Sequence, residues 1–68
     1  MAQTLSELPV LLVRPEDAAI ALGIGRTKVY ELMRSGALRS LKIGGLRRIP
    51  ATALADFVAK LEEQERVA

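Results

Sequence analysis

The chain has no cysteine, no histidine and no tryptophan. Without cysteine no disulfide can staple it. Without cysteine or histidine the usual ligand sets of a structural zinc are missing. Aromatic residues are down to a single Tyr and a single Phe, so the core has to be aliphatic. No apolar run approaches the roughly 18–20 residues that a membrane span needs. The first nine residues, MAQTLSELP, have neither the basic start nor the apolar stretch of a signal peptide. The groups of acid–base and nucleophilic catalysis are also missing: with no histidine, no cysteine and no convergent set of carboxylates, no enzyme is expected. Glu62-Glu63-Gln64-Glu65 reads as a solvated helix face.

What is present is a short chain of 68 residues, half of them hydrophobic. That length holds one domain, and a domain so small is only marginally stable. The apolar content excludes a disordered chain. Net charge is only +2, but it is unevenly spread. Residues 1–23 set Arg14 against Glu7, Glu16 and Asp17, a net −2. Residues 24–50 set Arg26, Lys28, Arg34, Arg39, Lys42, Arg47 and Arg48 against Glu31 alone, a net +6. Residues 51–68 set Lys60 and Arg66 against Asp56, Glu62, Glu63 and Glu65, a net −2. A basic middle between acidic ends points to an anionic partner held by that middle.

Residues 1–9 read as an N-terminal tail and 10–65 as the domain. Val10-Leu11-Leu12-Val13 is a short β-prone run. Pro15-Glu16-Asp17 opens a helix, because proline suits the first helical position and acids suit its positive end. Ala18, Ala19 and Leu22 give that helix its apolar face, and Gly23 stops it. A second helix spans about Arg26 to Ser35 and ends at Gly36. Val29, Leu32 and Met33 form its apolar stripe, leaving Thr27, Glu31 and Arg34 outward with Lys28 and Tyr30 at the flanks. Ser40–Ile43 and Leu46–Ile49 then read as two strands around Gly44-Gly45, a two-residue hairpin whose turn needs positive φ. Leu41, Ile43 and Ile49 are the residues expected to face the core. A last helix from Ala51 or Thr52 to about Glu65 presents Leu54, Phe57, Val58 and Leu61.

Two helices joined by a tight glycine turn describe a helix-turn-helix. Ala19 lies four residues before Gly23 and Val29 six after it. A small residue lets the helices cross closely, and the β-branched residue locks the second onto the first. In such a unit the second helix enters the major groove of DNA. That gives Arg26, Thr27, Lys28, Tyr30 and Arg34 a shared surface. An ordinary helical hairpin with a merely soluble second helix is the plain alternative. The basic hairpin that follows reads as a wing, with Lys42, Arg47 and Arg48 placed for phosphates or a narrow minor groove. Charge that protects an edge strand is the alternative for Arg47 and Arg48. The expected fold class is mainly α with a small β-hairpin, a single winged helix-turn-helix domain. For Glu31 the expectation is an intrahelical pair with Arg34, the alternative being a hydrogen bond accepted from cytosine N4.

The stretches "RPEDAAIALGIGRTKVYELMRSGAL", "KIGGLRRIP" and "ATALADFVAKL" together resemble the excisionase-type DNA-binding domain. That domain is a small winged helix-turn-helix related to the DNA-binding part of the mercury-resistance-regulator superfamily. The resemblance covers about Leu11 to Leu61. It departs from the family where Arg14 and Gly25 stand in place of the usual Ser or Thr caps, and where Leu46 replaces an aromatic after the hairpin glycines. Loss of a Ser-type cap costs about 1 kcal/mol.

The resemblance implies a recombination directionality factor that binds and bends attachment-site DNA and promotes integrase-driven excision of a mobile element. Its partners would be double-stranded DNA, neighbouring copies of itself and a site-specific recombinase. No cofactor, metal, membrane or small-molecule effector is implied. The location would be the bacterial cytoplasm, on the nucleoid when bound. A small phage or plasmid transcriptional regulator would use the same domain. The third possibility is a protein-interaction module with Leu54, Phe57, Val58 and Leu61 as its groove, although those residues are better explained as closing the core.

Overall fold

A computed structural model describes residues 10–67. The expected tail at 1–9 lies outside the described residues. The elements run β1 (Leu12–Val13), α1 (Pro15–Leu22), α2 (Arg26–Ser35), β2 (Leu41–Ile43), β3 (Leu46–Pro50) and α3 (Ala51–Val67). Helices and hairpin follow the expected order, and the whole is a small winged helix-turn-helix.

Pro15 opens α1, and Arg14 stands at its N-cap in extended conformation without a side-chain cap bond. Arg14 instead grips the first turn from outside. Its Nε donates to Asp17 Oδ2 at 3.0 Å and its Nη2 to Oδ1 at 3.3 Å. Gly23 closes the helix at φ 70°, a left-handed conformation that only glycine enters without strain. Its N–H donates to the Ile20 carbonyl, and that of Ile24 donates to the Ala19 carbonyl. These are the two bonds of a Schellman cap, and they fix the path from α1 into α2.

The core is built from small and aliphatic residues: Ala18 and Ala19 of α1, Val29 of α2, Leu38, Ile49 of β3 and Ala53 of α3. Val13, Leu22, Ile24, Leu32, Met33, Leu54 and Phe57 pack against it, partly buried. Leu38 is fully enclosed, a burial that stabilises by roughly 1.5–3 kcal/mol. Its N–H donates to the Leu32 carbonyl at 3.0 Å, folding the chain back after α2.

The sheet is antiparallel in the order β1-β3-β2. The hairpin turn has positive φ at Gly44 but not at Gly45, the pattern of a type II′ turn. Leu41 pairs with Arg48, Lys42 with Arg47 and Ile43 with Leu46, while Val13 pairs with Ile49. Directly opposed residues share a face, and successive residues alternate. Leu41, Ile43, Leu46 and Arg48 therefore stand on one face, and Lys42, Arg47, Ile49 and Val13 on the other.

This register corrects the expected core. Ile49 is buried, but Leu41 and Ile43 are about half exposed, because a two-residue turn puts them on the face opposite Ile49. A second correction concerns α3. Leu54 and Phe57 pack inward, whereas Val58 and Leu61 remain exposed. They do not close the core. Ala53 does, and every residue from Val58 to Arg66 is exposed as the helix leaves the body. The helix also runs to Val67 rather than stopping near Glu65.

Candidate nucleic-acid interface

Helix α2 starts without a capping side chain, since its N-cap is Gly25. The first N–H donated back into the helix is that of Val29, to the Gly25 carbonyl. The N–H groups just before it face outward, as at every helix start, and carry the positive end of the dipole. No acid lies in this first turn. Arg26 and Lys28 add cationic charge there, so the start of α2 is suited to an anion.

The expected residues of this helix are Arg26, Thr27, Lys28, Tyr30 and Arg34, and all are exposed; Thr27 and Arg34 fall opposite buried Val29, with Lys28 and Tyr30 on its flanks. Two of the cations are partly engaged. Arg26 Nη1 lies 3.9 Å from Glu16 Oε2 of α1, and Lys28 Nζ lies 3.7 Å from Glu31 Oε1. Glu31 therefore pairs with Lys28, three residues before it, and not with Arg34 as expected. Both partners are one helical step away, and the choice leaves Arg34 without an acidic partner among the described residues.

Tyr30, Met33 and Arg34 of α2 meet Ser40 and Arg47 around a cleft of about 250 Å³. Arg47 Nη1 donates to Ser40 Oγ at 3.3 Å, which holds the guanidinium at the cleft wall. Lys42 lies opposite Arg47 on the same ribbon face. Arg48 stands on the reverse face, less exposed than Arg47, with its Nη1 donating to the Arg47 carbonyl at 2.8 Å. The three expected wing residues thus divide two and one.

Arg48 has an electrostatic neighbour in Asp17. The hydrogen bond from Arg14 holds the Asp17 carboxyl below its ordinary pKa, desolvation works against it, and the charges of Arg14 and then Arg48 add to the lowering. Arg14 is correspondingly raised, first by its hydrogen bond to Asp17. Arg39, part of the basic middle, is drawn to α3, with Nη1 3.5 Å from Asp56 Oδ2 and Nη2 donating to Thr52 Oγ1 at 3.3 Å.

Ser40 was not among the expected site residues. Extending the hairpin register one step past Leu41 would have placed it beside the cleft. Among the described residues no three His, Cys, Asp or Glu side chains gather as metal ligands. Among the same residues no helix is long and apolar enough to cross a membrane.

Comparison with known proteins adds a lineage to this geometry. A family described as a helix-turn-helix domain matches residues 12–62. A probable excisionase of Saccharopolyspora erythraea is 50% identical over 58 residues, which cover 85% of this chain and 59% of that protein. An excisionase of Streptomyces ambofaciens is 50% identical over 50 residues, 74% of this chain and 79% of that one. This chain therefore spans about three fifths of the first relative and four fifths of the second. No solved structure matches.

Proposed function

The chain belongs to the family of excisionase-type helix-turn-helix domains, and on that premise we propose that it binds attachment-site DNA, bends it and promotes excision by a partner integrase. Its activity is binding, not catalysis. Double-stranded DNA, adjacent copies of the chain and the recombinase are the partners. The observation that carries this reading is the cleft where Tyr30 and Arg34 of α2 meet Arg47 of the wing. One surface of the molecule then offers a helix to the major groove and a slim basic ribbon to the backbone beside it.

Roles follow from position. The start of α2, with Arg26, Thr27 and Lys28, meets phosphate and the first base edges, using both side chains and the helix dipole. Arg34, without an acidic partner among the described residues, lies further along and suits a guanine edge. Tyr30 stands between base edge and wing, with its hydroxyl available to a phosphate. Lys42 and Arg47 approach the phosphates that flank the groove.

The test is selection of binding sites from a random DNA pool at two salt concentrations. A short recovered motif, above all as same-orientation repeats, supports the excision role. A lone inverted repeat would replace it with a dimeric transcriptional regulator. No enrichment at either salt would remove sequence-specific binding by the chain alone.

A further inference from the structure

Glu31 is the single acid of α2, and it stands where an anion is least expected. Val29 is fully buried and marks the inward line of the helix. At about 100° per residue, Thr27 and Glu31 each fall within about 20° of the line directly opposite, closer than any other residue of α2. Glu31 is exposed there. Among the described residues the one cation within bridging distance is Lys28, with Nζ 3.7 Å from Oε1. That separation makes an ion pair but is too long for a hydrogen bond. Both partners are exposed, with side chains 61% and 53% accessible, so the pair is weakly held. The carboxylate oxygens remain able to accept.

Turned to a duplex, a carboxylate on this line has phosphates to either side and base edges ahead. The phosphates repel it. In the major groove only cytosine N4 and adenine N6 present donors. Adenine sets its N7 acceptor beside N6, and that acceptor repels the second carboxylate oxygen. Thymine O4, and guanine O6 and N7, are acceptors and oppose the acid outright. Cytosine is the base that remains.

We propose that Glu31 is a specificity-determining residue, accepting a hydrogen bond from N4 of one cytosine in the bound site and rejecting the other three bases there. This role rests on the DNA-binding reading, with α2 in the major groove. Lys28 offsets part of the charge, which eases the approach of the acid between the phosphates. Glu31 thus lowers affinity for every sequence and restores it only where cytosine stands.

The test is site selection from a random duplex pool by the wild-type chain, by Glu31→Ala and by Glu31→Gln. Titrations follow on the recovered site and on duplexes in which each cytosine is replaced in turn by every other base. The wild type should require cytosine at one position and bind the replacements there about ten-fold less tightly, as for a specific base contact. Glu31→Ala should bind all four bases at that position within about two-fold of one another, and keep its preferences elsewhere in the site. Alanine suits an exposed helical position, so this variant should melt close to wild type. Glu31→Gln, whose amide donates as well as accepts, should admit adenine at the same position. A wild-type motif with no required cytosine would overturn the assignment. So would a Glu31→Ala chain that still requires cytosine and binds every sequence more tightly, which would make Glu31 a general repeller of phosphate. Preference lost across the whole site together with a lowered melting temperature would make it a structural residue instead. Failure of the DNA-binding reading has a different signature, the recovery of no motif by the wild type.

Discussion

Two adjacent arginines of the wing show how much one residue step changes. Arg47 shares its face with Lys42 and lines the cleft beside Arg34, while Arg48 stands behind the ribbon. On DNA that holds one copy, Arg47→Ala should flatten the dependence of log K on log salt by about 0.9 for a lost phosphate contact. Arg48→Ala should leave that slope near the wild-type value. Titrations at four salt concentrations check this, and equal slopes for the two variants would put both residues on phosphate. Asp17 gives a pH-dependent counterpart. Its folded pKa is depressed, first by the hydrogen bond from Arg14, so its contribution to stability is present above the ordinary carboxylate value. That contribution is lost as pH falls through the lowered value. Asp17→Asn should therefore melt below wild type at pH 7, and the gap should close in acid. A gap that stays constant with pH would mean that the charge of Asp17 is not what holds α1.

The joints between elements carry opposite expectations for two glycines two residues apart. Gly23 sits at φ 70° with open space where a Cβ would go, so Gly23→Ala meets only backbone strain, about 1–2 kcal/mol. In a domain this small that lowers Tm by roughly 4–8 °C for each kcal/mol. Gly25 has an ordinary extended backbone at the N-cap of α2, also with open space around it. Gly25→Ser supplies the missing cap and should stabilise by a few tenths of a kcal/mol. Thermal unfolding of the two variants should move in opposite directions. Both glycines could be read from the sequence, because helix periodicity ends at one and resumes after the other. The Gly44-Gly45 hairpin was legible for the same local reason. What escaped was non-local or a matter of phase. Leu38 is an isolated apolar residue with no periodic neighbours, yet it is the residue around which the chain turns. The pairing of β1 with β3 joins residues far apart in sequence through only two partners on each side. Leu41 and Ile43 are apolar in a strand, and apolarity alone does not say which face they occupy. Glu31 has a cation three residues away on each side, and spacing cannot choose between Lys28 and Arg34.

Across the whole molecule the charge is divided by element: cations gather on α2 and the wing, and acids gather at the far end of α3. Removing residues 61–68 takes away Glu62, Glu63, Glu65 and Arg66, raising the net charge from +2 to +4. The side chains described in that stretch, Leu61 to Arg66, are exposed, and exposed surface contributes little to stability. The shortened chain should melt within a few degrees of the full one. Its attraction to DNA should grow at low salt, because a repelling field has been removed, and the gain should vanish as salt screens it. Affinity rising while the melting temperature holds separates the two halves of α3, the first steadying the core through Ala53, Leu54 and Phe57 and the second carrying exposed acidic charge. If melting temperature and affinity fell together, the outer half of α3 would instead be part of the structural support of the domain.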